Sequence, residues 1–323
     1  MLKTQIKKLF ENCNLCPRSC GVNRNGETYE ESPKGYCRQS STMKVAYVGP
    51  HMGEEPPITG QKGAGTVFFT GCSLRCCYCQ NYQISHRGLG QPITPEDLVG
   101  RIINMIKSYG VHNVSFVTPD HFFPHVFDAV DKLRKKGCRL PIVMNVSGYQ
   151  SVELLKLAEN YTDIYLPDFK YSDSVLAGRL SSCQDYPEIA LSALEEMLRQ
   201  KGFLKISNAS PGIATKGVLV RHLILPGHVE NSCDALTMLF VEFGSKLPLS
   251  LMSQYYPAIL QKFPELNRRI RRDEFGKVLD HAKDLGFETL FVQYPDQGLV
   301  DPNKRPRFLP DFSSPNPFSQ ELS

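Results

Sequence analysis

From about Gly60 to Gln293, short runs of apolar, β-branched and aromatic residues alternate with stretches of helical periodicity, and this alternation restricts the fold more than any other feature of the chain. The β-like runs are Thr66–Thr70, Val114–Val117, Ile142–Val146, Ile164–Leu166, Val218–Leu225 and Leu249–Met252. They are short and mostly apolar throughout, as strands buried on both faces tend to be. Helical patterns lie between them. Thr94-Pro95-Glu96-Asp97 opens one with a capping threonine and a proline in the first turn, and it runs to about Tyr109. Others are Pro124–Lys136, Ser151–Asn160, Tyr186–Gln200, Ser232–Gly244 and Arg272–Leu285. Strand–helix units of this kind build a parallel sheet, because each return to the same end of the sheet needs a crossover. Six units predict an α/β fold of partial TIM-barrel, (β/α)6 type, and a seventh strand at Thr289–Val292 would extend it. No glycine-rich dinucleotide fingerprint follows the first strand: Gly71 runs directly into Cys72.

Flanking this middle zone, 60–293, are two segments of different character. Residues 1–59 are rich in Cys, Gly, Pro and charge and have few periodic apolar runs, which predicts a small lobe shaped by a metal. Residues 294–323 are rich in Pro and Ser and read as an extended tail, lying over the surface or partly disordered.

Charge and cysteine content narrow the function. A formal net charge of +4 over 323 residues is mild and dispersed, so a nucleic-acid partner is not expected. The densest basic group, Arg268, Arg269, Arg271 and Arg272, reads as a solvated helix face. Met1–Phe10 alternates basic and apolar residues without the continuous apolar stretch of a signal peptide, and no run is long enough for a membrane helix. The expectation is a cytoplasmic protein, in which eleven cysteines are poor candidates for disulfides. Seven of them fall into two groups with the spacing of metal ligands.

The first group follows the first strand: Gly71-Cys72-Ser73-Leu74-Arg75-Cys76-Cys77-Tyr78-Cys79-Gln80-Asn81. Gaps of three and then two residues let one short loop bring Cys72, Cys76 and Cys79 around the corner of a cubane cluster. Three thiolates for four irons leave one iron open to a substrate or cofactor, whereas a fully ligated cluster mostly carries electrons. The loop also leaves the carboxyl end of a strand, where barrel enzymes place their chemistry. Cys77 occupies the unrestricted position of the loop and reads as a packing residue.

Cys-x3-Cys-x-aromatic-Cys after the first strand, with Tyr78 in the aromatic position, resembles the signature of the radical S-adenosylmethionine (SAM) superfamily. The resemblance extends to the pyruvate formate-lyase activating enzyme-like family. It is carried by Glu55-Pro56-Pro57-Ile58-Thr59-Gly60, Phe116-Val117-Thr118-Pro119-Asp120-His121, Asn145-Val146-Ser147-Gly148-Tyr149, Tyr165-Leu166-Pro167-Asp168-Phe169-Lys170-Tyr171 and Arg221-His222-Leu223-Ile224-Leu225-Pro226-Gly227. It implies a [4Fe–4S] cluster on Cys72, Cys76 and Cys79, with SAM on the open iron. Reductive cleavage of SAM would give methionine and a 5′-deoxyadenosyl radical that takes hydrogen from the substrate.

Carried over by position, the resemblance also implies a SAM site. Tyr78 belongs to the cluster loop. Thr118-Pro119-Asp120 stands where many relatives carry Gly-Gly-Glu for the SAM amino group. Pro119 has no N–H, so Asp120 or the Thr118 carbonyl would serve there. Asn145 and Ser147 fall where relatives contact ribose or a nearby cation, although Asn145 also suits an Asx turn. Asp168 and Lys170 match an Asp-x-Lys element in which Lys170 pairs with the SAM carboxylate; a local ion pair is the plainer reading. Arg221 is a second candidate for that carboxylate. His121 and His125, at a helix start, read as caps or packed side chains.

The second group is Cys13-x2-Cys16-x3-Cys20, followed by Cys37. Four thiolates can close a tetrahedral zinc site or hold a second iron–sulfur cluster, and the sequence leaves both open. Three functions follow from the whole reading. The first is an activating enzyme that takes hydrogen from a glycine of a glycyl-radical-type partner. The second is a radical enzyme acting on a small molecule or another macromolecule, and the third is a non-catalytic iron–sulfur or zinc scaffold. A low-potential electron donor of flavodoxin or ferredoxin type is implied by the chemistry of the first two.

Overall fold

Residues 3–208, 212–295 and 309–318 are described by a computed structural model. The strands are β1 (Lys44–His51), β2 (Ala64–Phe69), β3 (Gln91–Pro92), β4 (Val114–Val117), β5 (Ile142–Val146) and β6 (Ile164–Pro167). They continue as β7 (Lys205–Ile206), β8 (Ala214–Val218), β9 (Val220–Leu223), β10 (Leu249–Met252) and β11 (Leu290–Gln293). The helices are α1 (Lys3–Glu11), α2 (Pro56–Thr59), α3 (Tyr82–Ser85), α4 (Pro95–Tyr109) and α5 (Phe123–Lys135). After them come α6 (Val152–Ala158), α7 (Ser174–Ser181), α8 (Tyr186–Lys201), α9 (Val229–Phe243) and α10 (Arg272–Leu285).

The eight-stranded sheet has the order β3-β1-β2-β4-β5-β6-β8-β7, in which β2, β4, β5, β6 and β8 are parallel. A second sheet, β11-β10-β9, is parallel throughout. Only Leu219 separates β8 from β9, and a bridge between Asp168 and Arg221 joins the two sheets. The result is an α/β wall with seven parallel positions, the seventh being β11. Among the described residues it does not close: β11 pairs with β10 alone, while β2 continues into antiparallel β1.

The expected strands and helices form for the expected reasons. In α4, Thr94 accepts the Asp97 N–H at 3.1 Å, Pro95 takes the first turn, and Gly110 at φ 63° ends the helix. Leu98, Ile102 and Met105 of that helix are buried against the sheet, together with Val126 and Val130 of α5 and Leu194 and Met197 of α8. Every residue of β2 and β4 is buried, because helices cover the outer face and the inner face looks into the barrel.

The lobe expected over 1–59 is shorter than predicted. Lys44–His51 is a strand of the main sheet, paired with β2 from Val45–Phe69 to His51–Ala64. Gly49 and Pro50 concealed it. Proline is tolerated there because β3 covers only Lys44 and Val45, so β1 is an edge strand at Pro50. Helices α1 and α7 were not expected. The run Val218–Leu225 is broken at Leu219, and α9 begins at Val229 rather than Ser232. Of the expected tail, Leu309–Phe318 lies over β1 and β2, with Phe312 and Phe318 buried on Phe68; residues 296–308 and 319–323 lie outside the described residues. Among the described residues no helix is long and apolar enough to cross a membrane.

Candidate functional site

Strand β2 ends by turning its chain toward the barrel axis at Gly71, where φ is 90° and a Cβ would stand 2.7 Å from the Cys37 carbonyl. The loop that follows directs Cys72, Cys76 and Cys79 into one cavity of about 580 Å³. Cys77 is not among the residues lining it; its N–H binds the Leu180 carbonyl at 2.8 Å. The Sγ of Cys72 accepts the N–H groups of Leu74 at 3.3 Å and Arg75 at 3.5 Å, and the Sγ of Cys79 accepts the Ser85 hydroxyl at 3.3 Å. Burial, and after it the neighbouring Cys76, pushes the Cys79 thiol up to about 11. Burial and the same neighbours raise Cys72.

Three thiols so placed cannot ionise together without a cation to hold them. Their softness suits iron–sulfur or zinc, and their number suits a cluster with one open iron. Beside them the Oδ1 of Asn81 is buried with no hydrogen-bond partner, an acceptor facing a site built for something further. These residues fit a [4Fe–4S] cluster with SAM.

The same cavity is lined by Tyr78, Thr118, Asn145, Ser147, Asp168, Lys170 and Arg221, from the ends of successive strands. Lys170 is half-buried, with Nζ 2.5 Å from Asp168 Oδ2. Burial disfavours its charge, but Asp168, Cys76 and Cys79 outweigh that and hold it protonated. The ion pair and the cavity position therefore coexist. The backbone N–H of Lys170 donates to the Tyr186 hydroxyl at 3.0 Å, and that hydroxyl lies 2.8 Å from the Ser147 carbonyl, which ties the two strand ends together. The Tyr171 hydroxyl donates to the Tyr78 hydroxyl at 2.8 Å. Thr118 has φ 52°, an unfavourable conformation for a β-branched residue, and its N–H binds the Asn145 carbonyl at 2.8 Å.

Two expectations are corrected. Asp120 does not line the cavity. Pro119 and Asp120 begin a 3-10 turn that carries the carboxyl behind the cluster loop, where Ser73 Oγ donates at 3.2 Å and Gln150 Nε2 at 3.0 Å. Burial raises it to about 7.

Arg221 lines the cavity but is not a free cation. Its Nε donates to Glu55 Oε1 at 2.9 Å, and Nη2 donates to both Glu54 and Glu55. Against the upward push of burial, Arg221 holds Glu55 below the usual carboxylate range. Glu54 and Glu55 also line the cavity and were not singled out as site residues; two adjacent acids before Pro56-Pro57 were the available signal. His121 and His125 are packed: Nε2 of each meets one carbonyl, of Thr70 at 2.8 Å and Ser41 at 2.7 Å.

In the amino-terminal lobe Cys13, Cys16 and Cys37 are buried and Cys20 is half-buried. They converge: a Cβ on Gly35 would stand 3.2 Å from Cys20 Sγ and 3.6 Å from Cys37 Sγ, and Cys20 Sγ approaches the Cys13 carbonyl at 3.9 Å. Among the described residues no three His, Cys, Asp or Glu side chains are arranged to hold a single metal ion. That applies equally to Cys72, Cys76 and Cys79, whose fit is to a cluster, where each thiolate takes a different iron.

A three-thiol loop at the carboxyl end of β2, the first of the parallel strands, faces a cavity lined by apolar and polar groups, an arrangement that suits an iron–sulfur cluster with one open iron. The chain belongs to the radical SAM superfamily, whose family model matches residues 66–227, half of the chain. An uncharacterized protein of Methanocaldococcus jannaschii, MJ0674, is 29% identical over 304 residues, covering 90% of this chain and 80% of that one. Among solved structures, HydG, a maturase of the [FeFe]-hydrogenase, aligns with TM-score 0.47 and 13% identity over 70% of this chain and 50% of its own. Streptococcus suis SuiB bound to S-adenosylmethionine aligns with TM-score 0.46 and 12% identity over 70% of this chain and 48% of its own. The chain thus spans about half the length of these two structures.

Proposed function

We propose that this radical SAM protein is an activating enzyme that takes a hydrogen atom from a glycine Cα of a partner protein of glycyl-radical type. The observation that supports this reading is the unclosed wall. Among the described residues no strand completes the barrel between the edge of β11 and the β1–β2 pair. The cavity there is lined by Glu54, Pro56, Tyr256, Phe291, Pro310 and Phe318, from loops, an edge strand and the carboxyl-terminal segment. Such a flank can admit a loop of a macromolecule.

A [4Fe–4S] cluster held by Cys72, Cys76 and Cys79 would, when bound and reduced, supply the electron for reductive cleavage of SAM and hence the hydrogen-abstracting chemistry. The chain's own residues hold and orient. Cys72, Cys76 and Cys79 carry the metal, and Lys170 presents a permanent cation for a carboxylate. The Thr118 carbonyl and the Asn145 and Ser147 side chains offer polar contacts to ammonium and ribose, and the apolar side chains Phe68, Val117 and Val146 restrict water. A flavodoxin- or ferredoxin-type donor supplies the electron. A second metal at Cys13, Cys16, Cys20 and Cys37, iron–sulfur or zinc, belongs to the same reading.

The test is anaerobic reconstitution, dithionite reduction and assay of 5′-deoxyadenosine from SAM, beside Cys76→Ala. The partner class is read by adding protein and low-mass fractions from cells labelled with α-deuterated glycine. Deuterium appearing in 5′-deoxyadenosine from the protein fraction supports the activating reading. Transfer only from the low-mass fraction would replace it with a small-molecule enzyme, and no 5′-deoxyadenosine from a loaded cluster would favour the scaffold.

A further inference from the structure

Arg24 is fully buried, yet among the described residues no carboxylate pairs with it. Its Nε donates to the Gln39 carbonyl at 3.0 Å and Nη2 to the Ser40 carbonyl at 2.8 Å, while Nη1 points at Cys13 Sγ at 3.4 Å. The rings of Phe10 and Phe122 lie 4.7 Å and 5.7 Å from the guanidinium carbon. A buried cation without a counter-charge costs several kcal/mol, and a neutral thiol does not supply one. The charge asks for an anion at the sulfurs.

The sulfurs lie close enough together to share one anionic centre. Cys20 and Cys37 meet at Gly35, Cys20 Sγ lies 3.9 Å from the Cys13 carbonyl, and Cys13 Sγ is the sulfur that Arg24 reaches. The lobe also has little else to fold it. Residues 12–43 contain neither helix nor strand, and their buried side chains include Arg24, Ser32, Gln39 and Ser40.

We infer that Cys13, Cys16, Cys20 and Cys37 hold a closed tetrathiolate metal centre whose counter-charge is Arg24, and that this centre fixes the catalytic loop through Arg18. The inference rests on the second metal proposed above. Four thiolates around a [4Fe–4S] core carry a net charge of about −2, which Arg24 partly offsets; zinc would carry the same charge, but only after the four sulfurs, which are not arranged around one point, close on it. Arg18 lies between Cys16 and Cys20 and reaches the loop from behind. Its Nε donates to the Ser73 carbonyl at 3.1 Å, and Nη2 donates to the Leu74 carbonyl at 3.4 Å and the Ser181 carbonyl at 2.8 Å. The Cys37 carbonyl closes on Gly71 from the same side. Loss of the metal would release these contacts one residue away from Cys72.

The experiment uses the full chain with Cys72, Cys76 and Cys79 all changed to Ala, reconstituted in separate arms with ferrous iron plus sulfide and with zinc chloride. After desalting, the expected result is about four irons with four sulfides, or about one zinc, per chain. Adding Cys20→Ala and Cys37→Ala should abolish it. Retention of neither metal by a triple variant with native circular dichroism overturns the inference. If that variant does not fold, total metal in the unaltered chain decides: iron for a single cluster and no zinc is the overturning result.

Arg24→Gln should retain the metal at least tenfold more weakly and Arg24→Lys should recover most of it; equal retention by Arg24→Gln removes the counter-charge role. Cys37→Ala in the otherwise unaltered chain should blunt the change that SAM makes in the electron paramagnetic resonance of the reduced catalytic cluster; an unchanged response rejects the coupling. Failure of the unaltered chain to cleave SAM would defeat the enzymatic reading and leave the metal result standing.

Discussion

Arg221 donates through Nε to Glu55 Oε1 at 2.9 Å, across a separation of 166 residues, and the pair sits in the cavity wall with Glu54 as a second carboxylate. Two acids on one guanidinium leave a residual negative charge, opposite in sign to a site for the SAM carboxylate. Arg221→Met would strand both carboxylates and should lower stability by about 3–5 kcal/mol, read by urea unfolding at pH 7. Adding Glu55→Gln should recover part of the loss. A change below about 1 kcal/mol would mean that the acids are solvated and the pairing structurally idle.

Lys170 is then the cavity's candidate for the carboxylate. It lines the cavity and is held charged by Asp168 and the neighbouring thiols. Lys170→Met should weaken SAM binding about tenfold to a hundredfold, the cost of a charge-assisted hydrogen bond of roughly 1.5–3 kcal/mol. Iron content should stay unchanged, and calorimetry on the reconstituted protein would measure the affinity. Affinity within twofold of the unaltered chain would take Lys170 out of the cofactor site.

Thr118 stores strain at the same wall. Its φ of 52° places a β-branched side chain in the left-handed region, at a cost of about 1–2 kcal/mol that glycine does not bear. Thr118→Gly should therefore raise stability, by up to about 1 kcal/mol after the entropy of the freer unfolded chain is subtracted. It should also weaken SAM binding, because the carbonyl is no longer held in place. Thermal unfolding and SAM titration on one preparation check both. Destabilisation would mean that the Thr118 side chain makes contacts worth more than the strain.

What could be read from the sequence was whatever is local. Cys72, Cys76 and Cys79 share one loop, so their spacing alone announces a common metal, and Thr94 with Pro95 announces a helix start. β2 and β4 are apolar on both faces and need no partner to be recognised as strands. What depends on chain path was hidden. Asp120 occupies the expected strand end, but the turn at Pro119 rotates it behind the loop to Ser73 and Gln150. Glu54 and Glu55 reach Arg221 only because β1 runs antiparallel and returns the chain to the cavity, and Gly49 and Pro50 masked β1 itself. The burial of Arg24 depends on how residues 12–43 wrap around it, which no local pattern announces.

His222 links pH to the stability of the Lys170 segment. It is fully buried on β9; Nδ1 must carry the proton, since it faces the Phe169 carbonyl at 2.6 Å, and Nε2 accepts from the Ser232 hydroxyl at 2.9 Å. Burial lowers the ring from 6.5 to about 4. Above pH 6.5 the ring is neutral in both folded and unfolded chains, and its contribution is fully present. As pH falls below that, the unfolded ring gains a proton that the folded ring refuses, so stability is lost down to pH about 4, by about 3 kcal/mol in all. Asp120 acts in the opposite sense over an overlapping range. Its folded value of about 7 lies above the unfolded 3.8, so its contribution is full below 3.8 and is lost as pH rises to 7. The total profile therefore mixes the two, and the His222 part is isolated by difference. His222→Gln should cost stability at pH 7.5, and that cost should shrink by about 3 kcal/mol at pH 4, measured by urea unfolding of both chains. A cost equal at the two pH values would mean that the folded ring is already protonated, and the hydrogen bond to Phe169 would then be that of an imidazolium.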